Sequence, residues 1–369
     1  MDITRGQLLR GTALAGLAVA STPTVASAQP NPVTTQPKRR EVRFRGVTYG
    51  VNDGESPGTG WQARRMRADL KAIKERLHAN TVAVLGDGVE RLAATATEAA
   101  ERGLTVFLQP RLGDVPEGEI LEHLAETGRV AEQLRKDGAR VHLSVGCEFW
   151  LFVPGIVPGE HALERVQNLL KGNFDPVHMQ RELERFIGQS AGTARRVFKG
   201  PLTYGAAEGD EVDWKLFDLV SVNYYSYYAR RGDYLRDLRT YQKHGKPVVV
   251  QEYGSCTFVG APKEGGMAWY AVDYEQDPPR LRADVVRSEQ VQADHITRMY
   301  DIFAEAGIHA ATVYDFVSPD SPHNPDEPRY DYDAASYSIV KVQQEGENWR
   351  WEPKRAFHAL AHRWRHAPA

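Results

Sequence analysis

The chain has 369 residues, 41% of them hydrophobic, and a formal net charge of −3. That is enough apolar material for one large core, and chains of this size commonly form a single barrel. The charge balance gives no bulk attraction to nucleic acid or to an anionic membrane surface, and no basic patch interleaved with aromatics occurs, so no nucleic-acid partner is expected.

Residues 1–28 read as a signal peptide. Arg5 and Arg10 flank the start of an apolar stretch from about Thr12 to Ala20, and Ala26-Ser27-Ala28 has the small-x-small pattern of a cleavage site. Thr4-Arg5 followed by Leu8-Leu9 resembles a twin-arginine signal, with Gly6 where the second arginine would stand. The stretch is too short to span a bilayer, so no stable membrane insertion is expected and the protein is placed as secreted or extracytoplasmic. Residues 29–41 read as a Pro-rich polar linker, and residues 42–369 as one folded domain.

From residue 42 onward, short apolar runs alternate with longer amphipathic segments. The runs are RFRGVTYGV, NTVAVLGD, LTVFLQPRL, VHLSVGCE, GPLTYGAAE, LVSVNYYS, PVVVQEYG and HAATVYDF; between them lie stretches such as ARRMRADLKAIKERLH and EILEHLAETGRVAEQLRKDG. Several helical stretches end in glycine (Gly103, Gly138, Gly245, Gly307), as a left-handed C-terminal cap requires. Eight strands with intervening helices predict an α/β fold, a (β/α)8 TIM barrel. No G-x-G-x-x-G follows the first strand, which argues against a dinucleotide-binding sheet. The segments after strands 4, 7 and 8 are long and aromatic-rich, and in this fold they would wall the C-terminal mouth of the barrel.

The fourth and seventh runs, VHLSVGCEFW and KPVVVQEYGS, each end in one glutamate followed at once by an aromatic residue: Glu148 and Glu252. A carboxylate at the end of a buried strand is costly unless something uses it. Two carboxylates facing each other across a barrel mouth are the apparatus of glycoside hydrolysis, where one is a neutral acid and the other an ionised nucleophile or base. Other strand ends add polar and aromatic groups. The candidate substrate-binding residues are Asp53, Asp87, Arg111, Trp150, Tyr204, Asn223, Tyr225, Trp269, Tyr314 and Asp315, with Glu208 also at the end of the fifth strand. The flat rings of Trp61, Trp150, Trp269, Tyr270 and Tyr314 would suit stacking against pyranose rings. Absence of G-x-S-x-G and H-E-x-x-H removes the serine-hydrolase and zinc-protease patterns.

The placement of Glu148 and Glu252 resembles that of the retaining β-glycosidases built on TIM barrels, clan A of the glycoside hydrolases. This resemblance spans residues 42–369 and implies Glu148 as acid/base, Glu252 as nucleophile, and Tyr225 as a tyrosine that hydrogen-bonds the nucleophile. It implies a carbohydrate partner and a retaining hydrolase of β-linked glycosides. The pattern departs where the clan has Asn immediately before the acid/base to hold the sugar 2-hydroxyl: here it is Cys147. Another group, such as Asn223 or Arg111, would then take that contact, or the substrate would differ there, or the barrel would bind sugar without cleaving it. RGVTYG, QPRL, VGCE, KPVVVQEYG and DYDAASYSIVKV also resemble a group of actinobacterial-type proteins, some labelled abortive phage infection protein, which leaves a phage-defence or interaction role as a further alternative.

The two cysteines, Cys147 and Cys256, lie near the two glutamates, and a bridge would take the space the glutamates need, so no disulfide is expected. No cofactor is expected. His323, Asp326, Asp331 and Asp333 cluster after the eighth strand; without EF-hand spacing, the expectation is a solvated acidic loop and no metal.

Overall fold

The computed structural model describes residues 41–52, 59–346 and 348–367. The leader, nearly all of the linker and Asp53 lie outside the described residues.

Seven of the predicted runs form β1 (Phe44–Gly50), β2 (Thr81–Gly86), β3 (Thr105–Pro110), β4 (Val141–Cys147), β5 (Leu202–Gly205), β6 (Val220–Asn223) and β7 (Val248–Tyr253). After two-residue strands β8 (Val272–Asp273) and β9 (Arg280–Leu281), the eighth run forms β10 (Ala310–Val313). β1–β7 and β10 make one sheet in the order β5-β4-β3-β2-β1-β10-β7-β6, with parallel pairing throughout. Its two ends meet at a bridge between Ala206 and Val222, where Ala206 N donates to Ser221 O at 3.2 Å and Asn223 N to Ala206 O at 2.8 Å. The result is a (β/α)8 TIM barrel. Nearly every strand residue is buried, as a sheet covered on both faces demands, and this is why the runs read as continuous apolar segments.

The helices are α1 (Ala63–Glu75), α2 (Val89–Glu101), α3 (Glu117–Lys136), α4 (Phe149–Phe152), α5 (Ala162–Lys171), α6 (Pro176–Val197), α7 (Arg231–Gln242), α8 (Ala261–Glu264), α9 (Glu289–Ala306) and α10 (Arg355–Arg365). Helical spacing explains their docking: α1 buries Met66, Leu70 and Ile73 on one stripe. The Asp175 carboxylate caps α6, accepting from Val177 N at 2.9 Å and His178 N at 3.2 Å, with Pro176 in the first turn. The four predicted cap glycines all have positive φ, from 68° to 92°. Between β5 and β6 the alternation lapses. That connection holds only a 3-10 turn, Trp214–Leu216.

The long connections lie at the C-terminal ends of the strands. α4 and α5 follow β4, α8 and the β8–β9 pair follow β7, and an antiparallel hairpin, β11 (Val340–Glu345) and β12 (Asn348–Pro353), follows β10. At the opposite face the two ends of the described chain are tied together. Arg363 pairs with Glu41 at 2.8 Å, and Arg45 Nη2 donates to Ala367 O at 3.3 Å. Among the described residues, no helix is long and apolar enough to cross a membrane.

Candidate active site

β7 carries Glu252 in register with Asn223 of β6. Two side chains hold its carboxylate. Arg111, just past β3, donates from Nη2 to Oε1, and the Tyr225 hydroxyl donates to Oε2 at 3.2 Å. The Arg111 and Glu252 side chains are only 14% and 8% exposed, so the pair is largely shielded from water. Burial pushes the Glu252 carboxyl up from its ordinary value, with the Arg111 charge pulling it down and the nearby Glu148 pushing it further up. Burial works against the charge on Arg111, but the Glu252 carboxylate beside it outweighs that effect and keeps the guanidinium charged.

Glu148 is fixed differently. It follows β4 with φ 41° and ψ 52°, a left-handed conformation uncommon for a side chain of its size. Its N–H donates to Gly205 O at 2.9 Å, and its carbonyl accepts from Leu151 N at 2.7 Å as α4 begins. The next N–H, of Phe149, donates to the Tyr204 hydroxyl at 3.0 Å, which donates in turn to Asp210 Oδ2 at 3.4 Å. These backbone bonds set where the glutamate starts.

Both glutamates line one cavity of about 140 Å³, with Arg111, Cys147, Trp150, Phe152, Tyr225, Met267, Trp269, Tyr314 and Tyr337 among its walls. Tyr337 stands edge-on to Tyr225 and Tyr314, with ring centroids 5.6 and 5.9 Å away. A second cavity of about 180 Å³ shares Tyr314 and is lined by Asp315, Trp61, Arg65 and Trp349 among others. Burial pushes the Asp315 carboxyl up to about 6, while the Ser318 hydroxyl, donating at 3.1 and 3.2 Å, opposes that rise.

Of the sequence-derived candidates, Glu148, Glu252, Arg111, Trp150, Tyr225, Trp269 and Tyr314 come together at the first cavity, and Asp315 at the second. Tyr204 is fully buried and supports the backbone after Glu148. Asn223 is 2% exposed and does not line the cavity; among the described residues neither its amide nitrogen nor its amide oxygen has a hydrogen-bond partner. Asp87 stands apart, paired with Arg91 at 2.7 Å along the start of α2. Trp61 lines the second cavity and donates to Thr95 Oγ1 at 3.2 Å, and Tyr270 packs against Trp269 at 5.4 Å. Asp53 lies outside the described residues. Sequence reasoning did not single out Phe152, Met267 or Tyr337.

Cys147 lines the cavity beside Glu148 as a buried free thiol, and burial pushes its pKa far up, so it carries no charge there. Cys256 is also a buried free thiol. The cluster after β10 differs from the solvated acidic loop that its composition suggests. Asp331 and Asp333 are buried; Asp333 is paired with Arg287 at 2.6 Å and Lys354 at 2.7 Å, and His323 meets Asp331 at 3.0 Å. Although His323, Asp331 and Asp333 converge closely enough to hold an ion, two fixed cations already oppose their carboxylates.

No family model matches the sequence, and no curated protein resembles it by sequence. Solved structures do resemble it in fold. Bacteroides uniformis beta-glucuronidase 2, covalently bound to cyclophellitol-6-carboxylate aziridine, superposes with a TM-score of 0.54 at 14% identity over 88% of this chain and 35% of that one. Parabacteroides merdae beta-glucuronidase gives 0.52 at 13% identity over 87% and 36%. Fpglu1 from Fervidobacterium pennivoraus gives 0.51 at 10% identity over 83% and 84%. The chain therefore spans about a third of the length of the two glucuronidases. At these identities the likeness is one of fold: a TIM barrel of the kind on which those glycoside hydrolases are built.

Proposed function

We propose that this protein is a retaining glycoside hydrolase acting on β-linked glycosides. The observation that carries the reading is one aromatic-walled cavity at the barrel mouth that takes glutamates from the ends of β4 and β7, with Glu252 gripped by Arg111 and Tyr225. Arg111 and Tyr225 favour an ionised Glu252 against its burial, as a nucleophile needs. Glu252 attacks the anomeric carbon while Glu148 protonates the departing glycosidic oxygen. Water then gives a proton to Glu148, attacks the same carbon and frees Glu252, leaving the sugar with its original configuration. Trp150, Trp269 and Tyr314 supply faces for the ring, and Arg111 stands where a hydroxyl beside the nucleophile would reach.

Among the described lining residues the charged groups are Arg111, Glu148 and Glu252. Arg111 is already committed to Glu252. A uronic acid would find no uncommitted cation among these residues, so the reading favours a neutral sugar, unlike the glucuronides named for two fold neighbours. Cys147 favours one second reading. A neutral thiol is a poor hydrogen-bond partner where the clan places Asn, and a barrel that binds sugar without hydrolysing it would tolerate that.

Labelling with cyclophellitol aziridines tests both. The neutral glucose-configured or galactose-configured reagent should attach to Glu252, located by peptide mass spectrometry, and the 6-carboxylate form should react at least tenfold more slowly. Attachment to Glu148 alone would reverse the roles. Sugar binding without labelling or turnover, across a panel of aryl glycosides, would leave the non-catalytic barrel as the better account.

A further inference from the structure

Glu208 lies outside the cavity yet is bound to one of its walls. β6 ends at Asn223, and Tyr224 N makes the last tie to β7, donating to Glu252 O at 2.7 Å. Beyond it, the N–H groups of Tyr225 and Ser226 lie past the end of the strand and need other acceptors. Glu208, from the loop after β5, supplies them. Its Oε1 accepts from Tyr225 N and from Ser226 N, both at 2.6 Å, and its Oε2 accepts from the Ser226 hydroxyl. On the other side of the same chain stands Gly265, where a Cβ would come within 2.7 Å of Tyr225 O. Gly265 is held in turn by the Tyr337 hydroxyl, which donates to its carbonyl at 2.6 Å. The backbone at Tyr225 is thus clamped from two directions, and its phenol is a long lever from that clamp to Glu252.

We propose that Glu208 is the positioning residue for Tyr225, holding the phenol where its hydroxyl reaches the Glu252 carboxylate. The inference rests on the reading of Glu252 as nucleophile, but concerns a separate link. A hydroxyl at 3.2 Å has little distance to spare before the hydrogen bond is lost. The short β5–β6 connection, without a helix of its own, is what brings this loop against β6.

The test is a double-mutant cycle on the full chain with an aryl glycoside, Glu208→Ala against Tyr225→Phe, with melting temperature as the check on folding. Glu208→Ala should lower kcat about 10- to 100-fold, the range of one hydrogen bond to a charged group, and leave KM within about threefold. Glu208→Gln keeps an oxygen for both amides and should restore kcat to within about threefold. In the Tyr225→Phe background Glu208→Ala should add almost nothing, because the hydroxyl it positions is gone. Should Glu208→Ala not fold, Glu208→Asp, one methylene short, takes its place with a smaller loss. Multiplicative losses in the cycle, or a wild-type kcat in Glu208→Ala, overturn the proposal. If instead Glu252→Gln is fully active, the nucleophile reading fails, and ring-labelled tyrosine NMR decides the positioning. A Tyr225 signal that moves in Glu208→Ala and stays in Glu208→Gln supports it, and one that stays in both overturns it.

Discussion

The ends of β4 and β7 present the same side chain to one cavity by different means. At β7 the strand delivers Glu252 at a shift of register with both neighbouring strands, and a guanidinium and a phenol hold its carboxylate. At β4 the backbone itself turns left-handed at Glu148 and starts α4 at once, with Tyr204 and Gly205 holding the main chain around it. An anionic nucleophile needs fixed donors that hold its charge before it attacks and again when it leaves the sugar. An acid/base must exchange a proton twice, and a main chain fixed in this way keeps its carboxyl at the same place for both transfers.

The largest effect that would break this contrast is in the chemistry itself. Glu252→Gln should cost at least about 10⁴-fold in kcat on every substrate, since nothing replaces a nucleophile. Glu148→Gln should cost a comparable factor on alkyl glycosides but only about 10- to 100-fold on aryl glycosides with good leaving groups in the first step. Added azide should give a sugar azide of retained configuration with Glu148→Ala and of inverted configuration with Glu252→Ala. Equal losses for both variants on every leaving group would erase the assignment.

A smaller effect sharpens the β7 side. Arg111→Met removes one partner of a buried ion pair, which should cost about 3 kcal/mol of stability near neutral pH in urea denaturation. Without the guanidinium the Glu252 carboxyl rises further, so the folded variant keeps a proton that its unfolded chain has lost. Its stability therefore falls as pH climbs from the ordinary carboxylate range to the raised value, and the penalty is greater at pH 8 than at pH 5. The acid limb of kcat/KM should move to higher pH in the same variant. A limb that stays put, with unchanged stability, would mean that Arg111 does not hold Glu252.

The smallest effect belongs to the β4 side. Tyr204→Phe leaves the N–H of Phe149 without its acceptor, at a cost of about 1–2 kcal/mol in chemical denaturation. The rate should fall only a few-fold, and more for poor leaving groups than for good ones. A loss confined to good leaving groups would tie Tyr204 to the wrong glutamate.

The barrel was legible because a strand buried on both faces is written as an unbroken apolar run, and the two glutamates were legible because they interrupt such runs. Other parts were not. Strand alternation put Tyr225 on the same side as Asn223, but β6 ends at Asn223, so the period does not carry through; Tyr225 reaches the cavity and Asn223 does not. Asp87 looked like a member of the ring of strand ends, yet its partner is Arg91, four residues on, along the start of α2. Phe152 comes from a helix whose whole sequence, FWLF, is apolar, so no pattern tells which side chain meets the cavity. Tyr337 follows two 3-10 turns with no period at all. The cations that oppose Asp333, Arg287 and Lys354, are distant in sequence on either side of it, which is why the acidity alone suggested a wet loop.

The ties that join Glu41 to Arg363 and Arg45 to Ala367 have a practical meaning. Those ties bring residues 41 and 367 both to the entry end of β1, on the face away from Glu148 and Glu252. A fusion partner, an affinity handle or a solid support attached at either residue therefore starts from the back of the barrel, and long polymers retain a clear approach to the front. A peptide linking those two residues would stay at the back of the barrel, so that new ends could be opened elsewhere on the surface without stretching the chain across the mouth.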